Sequence, residues 1–163
     1  MPQKSSTARR TVLLAELSVT SRRYMASYAL FNQAVADHLG LHPTDLQCLN
    51  LLGLEAEPVT TGRVAELTGL TTGSATRLVD RLERAGYVTR ARDTADRRRV
   101  LVTTVPERMA EFGAVWERLN SGWAALFDAY DDDEVAFLIA HMRRTTELSA
   151  AQVERVRDGG DTS

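Results

Sequence analysis

The stretch from Thr60 to Thr104 constrains the fold most, because it is punctuated at short intervals and then changes its period. Thr60 or Thr61 can cap a short helix running through Leu67, and Thr68-Gly69-Leu70 supplies a turn. Thr71 or Thr72 caps a second helix over 73–85, which Gly86 ends. Ala75, Leu78, Val79 and Leu82 form one apolar stripe on that helix, and the small Ala65 lets the two helices approach closely. Two short helices joined by a glycine-containing turn make a helix-turn-helix arrangement. Directly after it, residues 87–92 and 100–105 have the β-branched composition of strands, with a polar loop at 93–99 between them. The segment predicts a helix-turn-helix followed by a β-hairpin wing.

The flanks are helical. Leu13, Leu17, Tyr24, Tyr28, Phe31, Val35 and Leu39 recur at helical spacing with no Gly or Pro before Gly40, which predicts one long helix over 13–39. Gly40 stops it, Pro43 opens a second helix to about Leu54, and residues 55–58 form a loop. Beyond the hairpin, Met109, Phe112, Trp116, Leu119, Trp123, Leu126 and Tyr130 alternate spacings of three and four along a helix of more than six turns. A seam that long calls for another helix against it, and Gly113 and Gly122, each ~1 kcal/mol weaker than alanine, leave packing to hold the helix together. The acidic run 131–134 caps a final helix carrying Val135, Leu138, Ile139, Met142, Val153 and Val156. The expected fold is mainly α with a small β-hairpin wing. Its expected segments are a helix in 1–40, a winged helix-turn-helix in 41–105, two helices in 106–157 and a frayed tail in 158–163.

Charge adds the first functional hint. The net charge of −2 conceals a segregation: residues 60–105 hold nine arginines against five carboxylates, a net +4, while residues 106–163 hold six basic and twelve acidic side chains. A basic island in an acidic chain suggests an anionic partner such as nucleic acid. No stretch approaches the ~20 apolar residues of a membrane span, and no export signal precedes the first helix. The single cysteine, Cys48, fits a reducing compartment, so a soluble cytoplasmic protein is expected.

The run Thr71-Thr72-Gly73-Ser74-Ala75-Thr76-Arg77-Leu78-Val79-Asp80-Arg81-Leu82-Glu83-Arg84-Ala85-Gly86-Tyr87-Val88, followed by Asp93-Thr94-Ala95-Asp96-Arg97-Arg98-Arg99, resembles the winged-helix segment of the MarR (multiple-antibiotic-resistance regulator) family. The helix order on either side extends the resemblance over roughly residues 10–156. It implies a homodimer in which the first helix and the last two interlock with the partner chain and two winged-helix lobes grip a pseudo-palindromic operator in double-stranded DNA. In such regulators recognition helices enter successive major grooves, wings reach the flanking minor grooves, and transcription is usually repressed until a small ligand or oxidant releases the DNA.

Carried onto this chain, Thr71, Thr72, Ser74 and Thr76 offer hydroxyls and backbone N–H groups to phosphates or base edges. Arg77 is long enough to reach a guanine edge, and Arg81 and Arg84 lie where phosphate runs; the alternative is a solvated face pairing with Asp80 and Glu83. In the wing, Asp96 and Arg98 match the family's Asp-x-Arg pair, in which the carboxylate orients a guanidinium that enters the minor groove. Arg97 and Arg99 add phosphate contacts, and Arg92 belongs to the same DNA-binding set. One departure is Val105, where the family usually has a hydroxyl cap for the next helix.

The family's ligand pocket lies between dimerisation helices and winged lobe, which makes Tyr24, Tyr28, Phe31, His38, Trp116 and Trp123 candidates for a small aromatic or lipophilic effector. The alternative for the same residues is core and dimer interface. Cys48 has no adjacent cation to stabilise thiolate and does not sit near the start of the first long helix, where the family's peroxide sensors carry theirs; it reads as a small buried hydrophobe. His38 and His42 are four apart, with Asp37 and Asp45 nearby, but Gly40 and Pro43 break the helix that would align them, so no metal and no cofactor are expected. The run 131–134 lacks the alternating ligands and central glycine of a calcium loop. No nucleophile elbow, phosphate-cradling glycine loop or metalloprotease motif occurs, which argues against an enzyme. The competing reading is a winged-helix module whose arginines meet an acidic protein.

Overall fold

The computed structural model describes residues 2–157 and 159. In chain order the elements are α1 (Pro2–Leu39), α2 (Pro43–Leu52), β1 (Val59–Thr60), α3 (Thr61–Thr68), α4 (Thr72–Arg84), β2 (Val88–Arg92), β3 (Val100–Thr104), α5 (Pro106–Phe127) and α6 (Asp132–Arg157). The chain divides into two compact units within α5, between Ala110 and Glu111.

In the first unit α1 starts earlier than the apolar pattern announces, and Gly40 ends it as expected, at φ 66°. Pro43 opens α2, where a missing N–H costs nothing, and Nδ1 of His42 accepts the Thr44 N–H at 3.3 Å. α2 closes at Leu52, two residues short of the expectation. Thr60 caps α3, its hydroxyl accepting the Arg63 N–H at 3.1 Å. Gly69, at φ 70°, turns the chain into α4, and Gly86, at φ 77°, turns it out again into β2. Both positions lie in the left-handed region where a side chain is strained.

α4 packs on α2, α3 and β2. Ala75, Leu78, Val79 and Leu82 are fully buried, together with Leu46, Cys48 and Leu49 of α2 and Val64 of α3. Burial of each large aliphatic side chain contributes about 1.5–3 kcal/mol, so this stripe fixes which face of α4 remains outside.

The sheet has the order β1-β3-β2, antiparallel throughout. The hairpin strands sit one residue inside the expected ranges. β1 is an addition to the expected fold: Val59 and Thr60 pair with Val102 and Leu101. A strand of two residues, the second of them the cap of α3, carries no alternation for a sequence pattern to register. After β3, Val105 donates its N–H to the Tyr87 carbonyl and accepts the Met109 N–H, both at 2.9 Å. Pro106 then takes the first helical position, so α5 starts without the hydroxyl cap.

In the second unit the Phe112 and Trp116 rings meet edge to face, centroids 6.1 Å apart. α5 stops at Phe127, which leaves Tyr130 in the following turn and not on the helix. Tyr130 happens to fall on the next three-four spacing, so the seam runs on in the sequence across a break in the helix. Asp131 and Glu134 close a capping box on α6: Asp131 Oδ1 accepts the Glu134 N–H at 2.8 Å, and Glu134 Oε2 accepts the Asp131 N–H at 3.0 Å. α6 buries none of its residues, and Phe137 and Val156 are about 70% exposed. The tail set apart as frayed lies, apart from Gly159, outside the described residues.

Candidate nucleic-acid interface

The face of α4 opposite its buried stripe begins at an uncapped pair of donors. Thr71 is the N-cap; its hydroxyl accepts the Ser74 N–H at 3.3 Å and donates to Ser74 Oγ at 3.1 Å. The Thr72 and Gly73 N–H groups, in the first turn, have no intrahelical acceptor and point along the positive end of the helix dipole. Arg77 Nη2 donates to Ser74 Oγ at 3.1 Å, which lays the guanidinium back toward that end. The Thr76 hydroxyl donates to the Thr72 carbonyl at 2.9 Å. Thr71, Thr72, Thr76 and Arg77 are exposed and Ser74 is half-buried. The predicted set is therefore gathered at one helix end, with the hydroxyls of Thr71 and Thr76 already donating within the helix.

The wing holds its tip by local bonds. Asp93 N–H donates to the Arg99 carbonyl at 3.0 Å, Arg99 N–H to the Asp96 carbonyl at 2.9 Å, and Asp93 Oδ1 accepts the Ala95 N–H at 2.8 Å. Asp96 Oδ1 accepts both the backbone N–H of Arg98, at 3.0 Å, and its Nε, at 3.3 Å. That leaves the outer edge of the Arg98 guanidinium in solvent, on a side chain 93% exposed. Arg99 faces Asp93 at 3.7 Å, while Arg92 and Arg97 are exposed with no carboxylate partner among the described residues.

Two arginines have partners that lie beyond the reach of local sequence reasoning. Arg81 does not pair with Asp80 or Glu83. It clamps Asp45 of α2, Nε to Oδ2 at 2.9 Å and Nη2 to Oδ1 at 2.5 Å. Asp45 is 2% exposed, so α2 and α4 are joined by a nearly buried carboxylate. The hydrogen bonds that Arg81 donates to Asp45 push its guanidinium pKa up, against the pull of burial. Asp80 and Glu83 instead face Arg90 of β2, at 2.6 and 2.8 Å. Arg84 Nε donates to the Asp80 carbonyl at 3.1 Å.

A second feature is a groove of about 660 Å³ between α1 and α2, lined by Tyr24, Met25, Tyr28, Asn32, Thr44 and Gln47 among others. The Tyr24 and Tyr28 rings stack with centroids 6.3 Å apart. Phe31 and His38, also on α1, are not in its lining, and Trp116 belongs to the other unit. Cys48 is fully buried; desolvation, followed by the charge of Asp45, pushes its thiol up to about 12. His42 is committed to capping α2 and Asp45 to Arg81, and among the described residues no three metal-ligating side chains cluster. No helix of the described residues is long and apolar enough to cross a membrane.

Comparison with known proteins places these features in a family. The MarR family model matches residues 39–99. YcgE of Bacillus subtilis (strain 168), an uncharacterized HTH-type transcriptional regulator, is 38% identical over 128 residues, which span 78% of this chain and 82% of YcgE. Among solved structures, a MarR family protein from Bacillus stearothermophilus is 25% identical with a TM-score of 0.67, covering 86% of this chain and 96% of that one. CouR from Rhodococcus jostii RHA1, solved with p-coumaroyl-CoA bound, is 25% identical with a TM-score of 0.63, covering 82% and 91%.

Proposed function

We propose, from the premise that this chain belongs to the MarR family of transcriptional regulators, that it is a ligand-responsive repressor reading a pseudo-palindromic operator as a homodimer. The observation that carries the reading is the division of α4. Its buried stripe of Ala75, Leu78, Val79 and Leu82 leaves Thr72, Gly73, Thr76 and Arg77 outward, beside a wing whose Arg98 is held by Asp96 with its outer nitrogens free. α4 enters the major groove by its N-terminal end, where free N–H groups meet phosphate and Arg77 meets a base edge. Arg98 enters the minor groove, whose negative potential favours a guanidinium, and Arg92, Arg97 and Arg99 follow the phosphates.

Dimerisation is supported by apolar surface that a single chain leaves in water. In α1, Val12, Leu13, Leu14, Leu17 and Leu30 are each more than half exposed, and α6 exposes Phe137, Leu148 and Val156. Exposure on that scale marks an interface. Effector response is supported by the α1–α2 groove, large enough for an aromatic or lipophilic molecule, and by the ligand that CouR holds. Such a regulator works in the cytoplasm, where the chromosome is.

Selection of duplexes from a random DNA pool by the purified protein tests the reading. An enriched inverted repeat with half-sites about one helical turn apart is the expected result. No enrichment at low salt, together with binding to an acidic protein surface, would replace it with the protein-docking reading.

A further inference from the structure

We infer that Arg90 is a positioning residue of the DNA-reading face, locking the angle between α4 and the wing; the inference rests on the DNA-binding reading above. Arg90 lies at the centre of β2 and makes no use of the hairpin tip. Its Nη1 reaches Asp80 Oδ1 at 2.6 Å and Glu83 Oε2 at 2.8 Å, and its Nη2 donates to the Thr76 carbonyl at 3.2 Å. These three acceptors occupy successive turns along one side of α4, so a single planar guanidinium spans two turns of the helix from a strand. The Arg90 side chain is 23% exposed, whereas Asp80 and Glu83 are 46% and 40% exposed. The cation is the sheltered member and the carboxylates the outer ones.

This arrangement does two things for a surface that meets phosphate. β2 continues directly into the loop that carries Asp96 and Arg98, so fixing β2 to α4 sets the distance between the major-groove and minor-groove readers. Both readers must engage one duplex at once, and a rigid offset between them favours the sequence that suits both. Asp80 and Glu83 are also the only carboxylates on α4, and pairing them with one guanidinium offsets half of the negative charge they would set against the phosphates beside Arg77. Arg90 itself, turned inward to three acceptors, touches no DNA.

The test compares three proteins with the wild type: Arg90→Met, Asp80→Asn with Glu83→Gln, and all three changes together. Each is titrated with the duplex selected by the wild type and with a scrambled duplex of equal length, and thermal unfolding and sedimentation are recorded beside it. The expected result is a tenfold or greater fall in the operator-to-scrambled affinity ratio for Arg90→Met. The carboxamide pair should show a similar fall in that ratio without weaker binding to scrambled DNA, and the triple variant no further fall, because one clamp breaks once. Losses that add in the triple variant would make Arg90 a direct DNA contact and overturn the inference. A lowered melting temperature with an unchanged ratio would also overturn it, leaving Arg90 a stability residue. Should Arg90→Met not fold, Arg90→Lys, which keeps the charge but not the three-acceptor fork, replaces it with the same expectation. A wild type that prefers no duplex overturns the DNA-binding reading itself, before any variant is compared.

Discussion

The Asp45–Arg81 pair predicts an asymmetry between two mutations of one interaction. The Asp45 side chain is 3% exposed and the Arg81 side chain 40%. Arg81→Ala strands a buried carboxylate that has no other side-chain partner among the described residues, and leaving such a charge unpaired costs about 3–5 kcal/mol. Asp45→Asn leaves a guanidinium that already reaches water, and the carboxamide oxygen still accepts one of its N–H groups. That loss is about 1–2 kcal/mol. For a chain of this length each kcal/mol shifts the melting temperature by about 2–4 °C, so the expected falls are about 6–20 °C for Arg81→Ala and about 2–8 °C for Asp45→Asn. The double variant should melt above Arg81→Ala alone, because removing the stranded charge relieves the larger penalty. Circular dichroism melts at one fixed protein concentration measure this, since a dimer's melting point moves with concentration. Equal losses, or the larger loss in Asp45→Asn, would show that Asp45 reaches water and that no buried charge is stranded.

Three further outcomes follow from the same geometry. Arg98→Ala should weaken operator binding roughly ten- to a hundredfold and shallow its salt dependence, while the melting temperature stays within about 2 °C, because an ion pair so exposed contributes little to stability; unchanged affinity removes Arg98 from the interface. Arg77→Ala should flatten base preference at one position per half-site by about 1–3 kcal/mol, seen by repeating the duplex selection with the variant; an unaltered consensus means Arg77 reads no base. Cys48, whose thiol is raised from 9.0 to about 12 in the fold, keeps its proton where the unfolded chain has lost it. Stability is therefore undiminished below pH 9 and falls between pH 9 and 12 by about 1.4 kcal/mol per unit. Denaturant melts across that range should show a steeper decline for the wild type than for Cys48→Ala, and parallel curves would contradict the assignment.

What a residue does within about four positions of itself is legible in the sequence. Asp131 announces its cap, Thr60 and Thr71 theirs to within one residue, and Gly40, Gly69 and Gly86 their stops, because donor and acceptor are near neighbours along the chain; Asp96's hold on Arg98 is what the family resemblance implies. The stripe Ala75, Leu78, Val79 and Leu82 is legible for the same reason, since helical periodicity states which face is inward. What escapes is decided by residues far apart. Asp45 and Arg81 are separated by 36 positions, and nothing around Asp45 reveals that it is buried. Arg90 looks like one more arginine of a basic wing until β2 is laid along α4. β1 exists only because β3 offers it an edge.

That distinction decides how much of the charge on residues 60–105 is open to a partner. Nine arginines read as one cationic surface, but Arg63, Arg81 and Arg90 are tied to carboxylates of other elements or of their own helix, and Arg84 lies along a backbone carbonyl. Asp96 and Asp93 hold Arg98 and Arg99 by local pairs. Arg77, Arg84, Arg92 and Arg97 have no carboxylate partner among the described residues, and of these Arg84 is held by the Asp80 carbonyl. Internal pairing therefore sorts the arginines into those that brace α4 from α2 and β2 and those left for an external anion, and the two groups must respond differently to mutation. Loss of a brace should reduce discrimination between sequences or stability; loss of Arg92 or Arg97 should reduce affinity for any duplex and the salt dependence with it, and loss of Arg77 the preference at the base it reads. The basic island is thus a rigid mount carrying a smaller charged surface, and its nine arginines overstate what DNA would meet.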